Sequence, residues 1–142
     1  MYVTAVVSAV LTFIFIKLSF NVIELRKIHK VSIGSGGIGA LERAMCGHAN
    51  FSKYAPLGLI LMACLELNGV PSIAVVIVGM FLVLGRYLHA KGVCEDGSNS
   101  ESCTVGMKFT WIALAVSAFA NVVWIAYSWI ASVRFAANFY VI

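Results

Sequence analysis

Apolar residues fill four stretches of the chain, and polar residues gather in the short segments between them. Tyr2 to Ile23 is long enough to cross a bilayer, because about 20 helical residues rising 1.5 Å each cover a hydrocarbon core of roughly 30 Å. Lys17 and Asn21 interrupt its second half; Lys17 lies about two turns from a basic end, so its amine can snorkel to the headgroups. A polar connection from Leu25 to Ala40 follows, with Arg26, Lys27, His29 and Lys30 and then Gly34-Ser35-Gly36-Gly37. Those glycines read as a loop, since no strand precedes them and no phosphate-loop pattern is complete.

The second apolar run, Ala55 to Leu65, is only about 11 residues or roughly 17 Å of helix, too short to span. Its helix must begin near Leu41, which brings Arg43, His48, Asn50 and Lys53 into or beside the membrane, where polar groups are costly and mark function. Glu66-Leu67-Asn68-Gly69-Val70-Pro71-Ser72 is a tight turn, with glycine stopping one helix and proline opening the next. Ile73 to Leu88 forms a third span, ending in Gly85-Arg86-Tyr87-Leu88-His89-Ala90-Lys91-Gly92 and an acidic, serine-rich loop from Cys94 to Cys103. A fourth runs from Val105 to Ile130, with Trp111, Trp124, Tyr127 and Trp129 suited to interfacial belts and Arg134 and Tyr140 at its far end. The pattern predicts one all-α, integral-membrane four-helix domain with spans over about 2–24, 41–67, 71–91 and 104–132.

Composition narrows the alternatives. Of 142 residues, 61% are hydrophobic and 11% charged, against about 25% charged in a soluble domain. The net charge of +4 does not indicate nucleic acid, because the basic residues sit between apolar runs rather than along one face. None of the four cysteines forms a C-x-x-C pair, so neither a metal site nor a quinone-coupled disulfide generator is indicated. A small proton-coupled exporter needs a carboxylate deep in the first span, and Tyr2 to Ile23 has none. The first segment has no basic leader region and reads as retained. Most Lys and Arg lie in the loops after spans one and three or in the helix ends beside them, and the Glu66 turn holds none, which puts those loops on the cytoplasmic side and both termini and the Glu66 turn outside.

At 100° per residue, Arg43, Cys46, Asn50, Lys53, Tyr54 and Leu57 fall along one side of helix two, and Arg86 and His89 share a face of helix three. If these faces meet, Arg26, Arg43, Asn50, Lys53, Tyr54, Arg86 and His89 would line a pocket rich in donors and poor in carboxylates, suited to a small anionic ligand.

The segment Leu41 to Leu57, with its core His48-Ala49-Asn50-Phe51-x-x-Tyr54-x-Pro56, resembles the helix-two signature of the MAPEG family, membrane-associated proteins in eicosanoid and glutathione metabolism. The resemblance extends to Arg26-Lys27, to Glu66-Leu67-Asn68-Gly69 and to Gly85-Arg86-x-x-His89-Ala90-x-Gly92. It implies a four-helix protomer in a homotrimer, with glutathione between adjacent protomers near the cytoplasmic face. By the same resemblance Arg26 and His48 would reach a glutathione carboxylate, Asn50 and Tyr54 the peptide and γ-glutamyl parts, and Arg86 would close the pocket. Membrane lipid and a small hydrophobic substrate are the other partners implied. The compact loops and the lack of a terminal di-lysine pattern point to a bacterial inner membrane.

Three positions depart from that pattern. Cys46 stands where the family usually has Arg, Lys53 where it has Glu, and Cys103-Thr104 near the helix-four Arg that holds the thiolate. The expected carboxylate would meet the tripeptide's ammonium, whereas Lys53 sets like charges together. A thiol is activated by a nearby cation or hydrogen-bond donor, and the candidates here are Ser102, Thr104 and Lys108. Cys46 and Cys103 read as small packed residues. The function implied is a glutathione-dependent transferase or peroxidase acting on lipophilic electrophiles or lipid hydroperoxides. The alternative is a lapsed member of the fold that binds another amphiphile or an anionic lipid.

Overall fold

In a computed structural model, which describes residues 1–95 and 101–139, the chain forms four helices. They are α1 (Tyr2–His29), α2 (Gly39–Leu67), α3 (Ser72–Glu95) and α4 (Glu101–Phe139). Residues 96–100 of the serine-rich loop and Tyr140 lie outside the described residues. Contacts run antiparallel from each helix to the next, Thr4 meeting Glu66, Asn50 meeting Arg86, and Gly85 meeting Thr110. α1, α3 and α4 are each long and apolar enough to cross a membrane. α2, with its polar first half, is less apolar, and over 29 residues it packs along α1 and α3.

Local chemistry sets the helix ends. α1 closes on Lys30, which takes a left-handed conformation (φ 55°) while its N–H meets the carbonyls of Arg26 and Lys27. Arg26, Lys27 and His29 place positive charge on the carbonyl end of the helix dipole. At the next turn Val70 N–H reaches the Leu65 carbonyl at 3.1 Å around Gly69, whose φ of 79° suits a residue without a side chain.

Leu11, Leu18, Phe51, Ala55, Met62, Leu65, Val75 and Leu82 make the core. Large apolar side chains such as Phe13, Phe20, Phe119 and Trp129 point outward, as lipid requires. Hydrophobic burial alone does not drive helices together in lipid, so close approach and polar ties matter more. α3 and α4 approach most closely at Gly85, Gly92 and Gly106, where an added Cβ would strike the facing backbone. Asn121 Nδ2 donates to the Leu61 carbonyl at 3.0 Å and Trp124 Nε1 to the Asn68 carbonyl at 2.7 Å, tying α4 to α2.

The start of α1 is held by a residue far along the chain. Glu66 Oε2 accepts from Thr4 N–H at 2.9 Å and from the Thr4 hydroxyl at 2.7 Å, and Oε1 accepts from Val3 N–H at 3.1 Å. These otherwise unpaired N–H groups, at the positive end of the helix dipole, favour the carboxylate. Glu66 stands in the last turn of α2, past the apolar run that ends at Leu65, and its carboxyl is pulled from 4.5 to about 2, chiefly by the Thr4 hydroxyl and then the Thr4 N–H. A lowered native pKa contributes stability above the unfolded value and loses it as pH falls through the native one. Acid unfolding should therefore show a limb between about pH 4.5 and 2 that Glu66→Gln flattens, with a lower thermal midpoint at neutral pH. Identical acid limbs in thermal scans of the two proteins would disprove the assignment.

Candidate functional site

Arg86, from the middle of α3, is fully buried. Its Nη2 donates to Asn50 Oδ1 at 2.8 Å, and Nη1 approaches Met107 Sδ of α4 at 3.8 Å. The guanidinium carbon lies 5.3 Å from the Phe51 ring centre and 5.6 Å from that of Tyr54. No described carboxylate pairs with it. Two aromatic faces and one charge-assisted hydrogen bond thus hold a cation inside the bundle, and Arg86 Nε is left without a partner among the described residues. One turn on, His89 is also buried, and its Nδ1 is unpaired as well.

The residues singled out in the sequence divide between two flanks of α2. On one, Asn50 and Tyr54 face α3 with Arg86. On the other, His48 Nε2 meets the Ser19 hydroxyl of α1 at 3.1 Å, and its ring packs on Phe15 with centroids 4.8 Å apart. Arg26 lies near that second flank and is occupied: Nη1 donates to the Ser32 carbonyl at 2.9 Å and Nη2 approaches Met45 Sδ at 3.5 Å. The basic run, expected in the connection after helix one, instead forms the last turn of α1, and its Arg26 clamps the loop that follows. Arg43 turns back toward Gly39 at the start of α2, away from the Arg86 cluster.

Between the flanks α2 shows a stripe that none of the protein's own helices covers. Arg43, Cys46, Lys53, Leu57, Ile60 and Cys64 are exposed along it, with Asn50 half-buried in register. Their alternating three- and four-residue spacing is the 3.5-residue repeat of a helix that packs against another helix. On α4, Ser102 is half-buried in the first turn, Cys103 is buried against Gly92, and Thr104 and Lys108 are exposed. Sequence reasoning missed Phe51 and Met107 as partners of the guanidinium. Phe51 could have been found as the aromatic next to Asn50, whereas Met107 carries no local signal.

Comparison with known proteins places this arrangement. The MAPEG family model matches residues 4–123. The protein named "Inner membrane protein YecN" from Escherichia coli strain K12 is 34% identical over 130 residues, covering 92% of this chain and 95% of that one. The protein of the same name from Escherichia coli O6:H1 matches equally. With four antiparallel helices, three of them apolar enough to span, and a family match across the helices that build the Arg86 cluster, the chain belongs to the MAPEG family of membrane proteins.

Proposed function

We propose that the protein is a glutathione-dependent transferase or peroxidase that works as a homotrimer in a bacterial inner membrane, with its site toward the cytoplasmic face and both termini outside. The carrying observation is the buried Arg86 cluster, a cation whose Nε, like His89 Nδ1 one turn on, has no partner among the described residues, beside Asn50 and Tyr54. Such a cluster suits a carboxylate-rich peptide ligand. The uncovered stripe of α2 supports packing against a second and third copy. A copy docked there would bring the Arg26 and His48 flank of one protomer toward the Asn50 and Arg86 flank of its neighbour.

In this reading glutathione is a co-substrate. Its thiol proton passes to solvent and the thiolate forms a bond to an electrophilic carbon, whose leaving group departs with the electron pair. With a lipid hydroperoxide the sulfur attacks the terminal oxygen, the O–O bond breaks and an alcohol leaves; a second glutathione then releases the disulfide and water. Ser102, Thr104 and Lys108, in the first turns of α4, are the candidates to hold the thiolate. A second reading, a site specialised for another anionic amphiphile, is favoured by Lys53, exposed where the family carries a carboxylate.

Calorimetric titration of the detergent-solubilised protein with glutathione, alongside its S-methyl analogue, decides between the two. Saturable binding of both at millimolar concentration or below is the expected outcome, with turnover of model electrophiles by glutathione alone. Absence of heat and of thermal stabilisation overturns the first reading. Binding that appears only in a Lys53→Glu, Cys46→Arg variant then identifies a lapsed glutathione site.

A further inference from the structure

The side of the bundle facing away from the α2 stripe carries a second feature, a groove between α1 and α3. Toward the Glu66 end it is a cavity of about 590 Å³ lined by apolar residues, among them Val6, Val10, Val76, Met80 and Leu84. Gly79 forms part of its wall, where any side chain would run into Val7 and Met62. Toward the Arg26 end a second cavity of about 630 Å³ opens between the same two helices. Its lining changes character: Lys17, Asn21 and Glu24 from α1 and Tyr87 and Lys91 from α3 border it, over a base of Ile14 and Leu18.

Lys17, Asn21 and Glu24 follow the same three- and four-residue spacing as Val3, Val7, Val10 and Ile14 before them, so one strip of α1 runs from apolar to charged. Asn21 and Lys91 already hold contacts in the structure. Lys17 and Glu24 are exposed and have no hydrogen bond or ion pair among the described residues. From Asn21 to Val10 is eleven residues of helix, about 16 Å, or close to half of a roughly 30 Å hydrocarbon core. The groove thus has the length of one lipid leaflet and a polar end carrying both signs of charge.

We propose that this groove holds a glycerophospholipid with a primary-amine headgroup. The acyl chain lies along Ile14 and Val10 toward Leu84 and Met80. The phosphate meets the Lys17 ammonium, which reaches back along the helix to the polar end, with Lys91 opposite. The amine, farther from the chains than the phosphate, donates to the Glu24 carboxylate. A primary ammonium has three N–H donors for that contact, whereas a choline head has none. A glycerol head leaves a net negative charge beside Glu24. A second copy of the chain fits the groove less well, because it would bury Lys17 and Glu24 without supplying an opposite charge to each.

Native mass spectrometry of the detergent-solubilised protein with phosphatidylethanolamine, phosphatidylcholine or phosphatidylglycerol of matched chains tests this assignment. The expected result is retention of the ethanolamine lipid about tenfold over the choline lipid, the factor one charge-assisted hydrogen bond supplies. Glu24→Gln should abolish that preference and leave choline-lipid retention unchanged, and Lys17→Gln should lower retention of all three. Both positions are exposed, so neither change threatens the fold. Equal retention of amine and choline heads by the native protein overturns the proposal, as does a preference that survives Glu24→Gln. A Val10→Trp variant that fills the groove should reduce lipid retention with the oligomeric mass unchanged; a changed mass with full lipid retention assigns the groove to a protein contact instead.

Discussion

Replacing Arg86 with alanine is expected to cost about 3 kcal/mol of stability, since it opens a large cavity in a packed interior and leaves Asn50 Oδ1 without its donor. Arg86→Met, which refills the volume with a flexible apolar side chain, should recover most of that loss. A buried cation is weak evidence for stability, because an apolar residue of similar size often serves as well. If the guanidinium is kept for a ligand, the methionine variant will fold and still lose glutathione binding by tenfold or more. Arg86→Lys should lie between the two, because a point charge cannot reproduce a planar group set between the Phe51 and Tyr54 rings. Thermal unfolding and calorimetry on the same three proteins separate the outcomes. An alanine variant as stable as the native protein would disprove the buried arrangement, and a methionine variant that binds glutathione normally would remove Arg86 from the site.

Gly106→Leu should be at least as damaging, by about 3 kcal/mol or more, because the added Cβ would meet the His89 N–H group, the Gly85 carbonyl oxygen at 2.7 Å and the His89 Cα at 2.8 Å. Backbone cannot swing aside as a side chain can, so α3 and α4 must separate. Separation carries Met107 away from Arg86 and unseats His89, and the ligand site should fail along with the fold. Val105→Leu, at the adjacent but exposed position, should change the thermal midpoint little. Equal midpoints for the two variants would show that the α3–α4 approach is looser than the Gly106 geometry requires.

The sequence made the four helices legible because glycine, proline or charge separates each apolar run from the next. Even the polar half of α2 was recoverable, since 11 apolar residues cannot span a membrane. The Arg86 cluster was legible as a cost: Arg86 inside apolar α3 and Asn50 in the polar half of α2 both need a polar partner, and each supplies what the other lacks. The grip of Glu66 on Thr4 was not legible, because it joins residues 62 apart and neither carries a local pattern that names its partner. Motif adjacency concealed the division of the site. His48 and Asn50 are two positions apart in the signature, which at about 100° per residue turns them roughly 200° from each other around α2. Arg26 was legible as a pocket-lining cation at the basic end of helix one, but its hold on the Ser32 carbonyl depends on the Lys30 turn that folds the loop back over it.

That division has a genetic consequence. The chain presents His48 and Arg26 on one side of α2 and Asn50 and Arg86 on the other, so in the proposed homotrimer a ligand that needs both sets would be shared by two copies. Two alleles, each defective on a different flank, would then complement when expressed together, because a mixed assembly contains a junction where both intact flanks meet. Two alleles defective on the same flank would not.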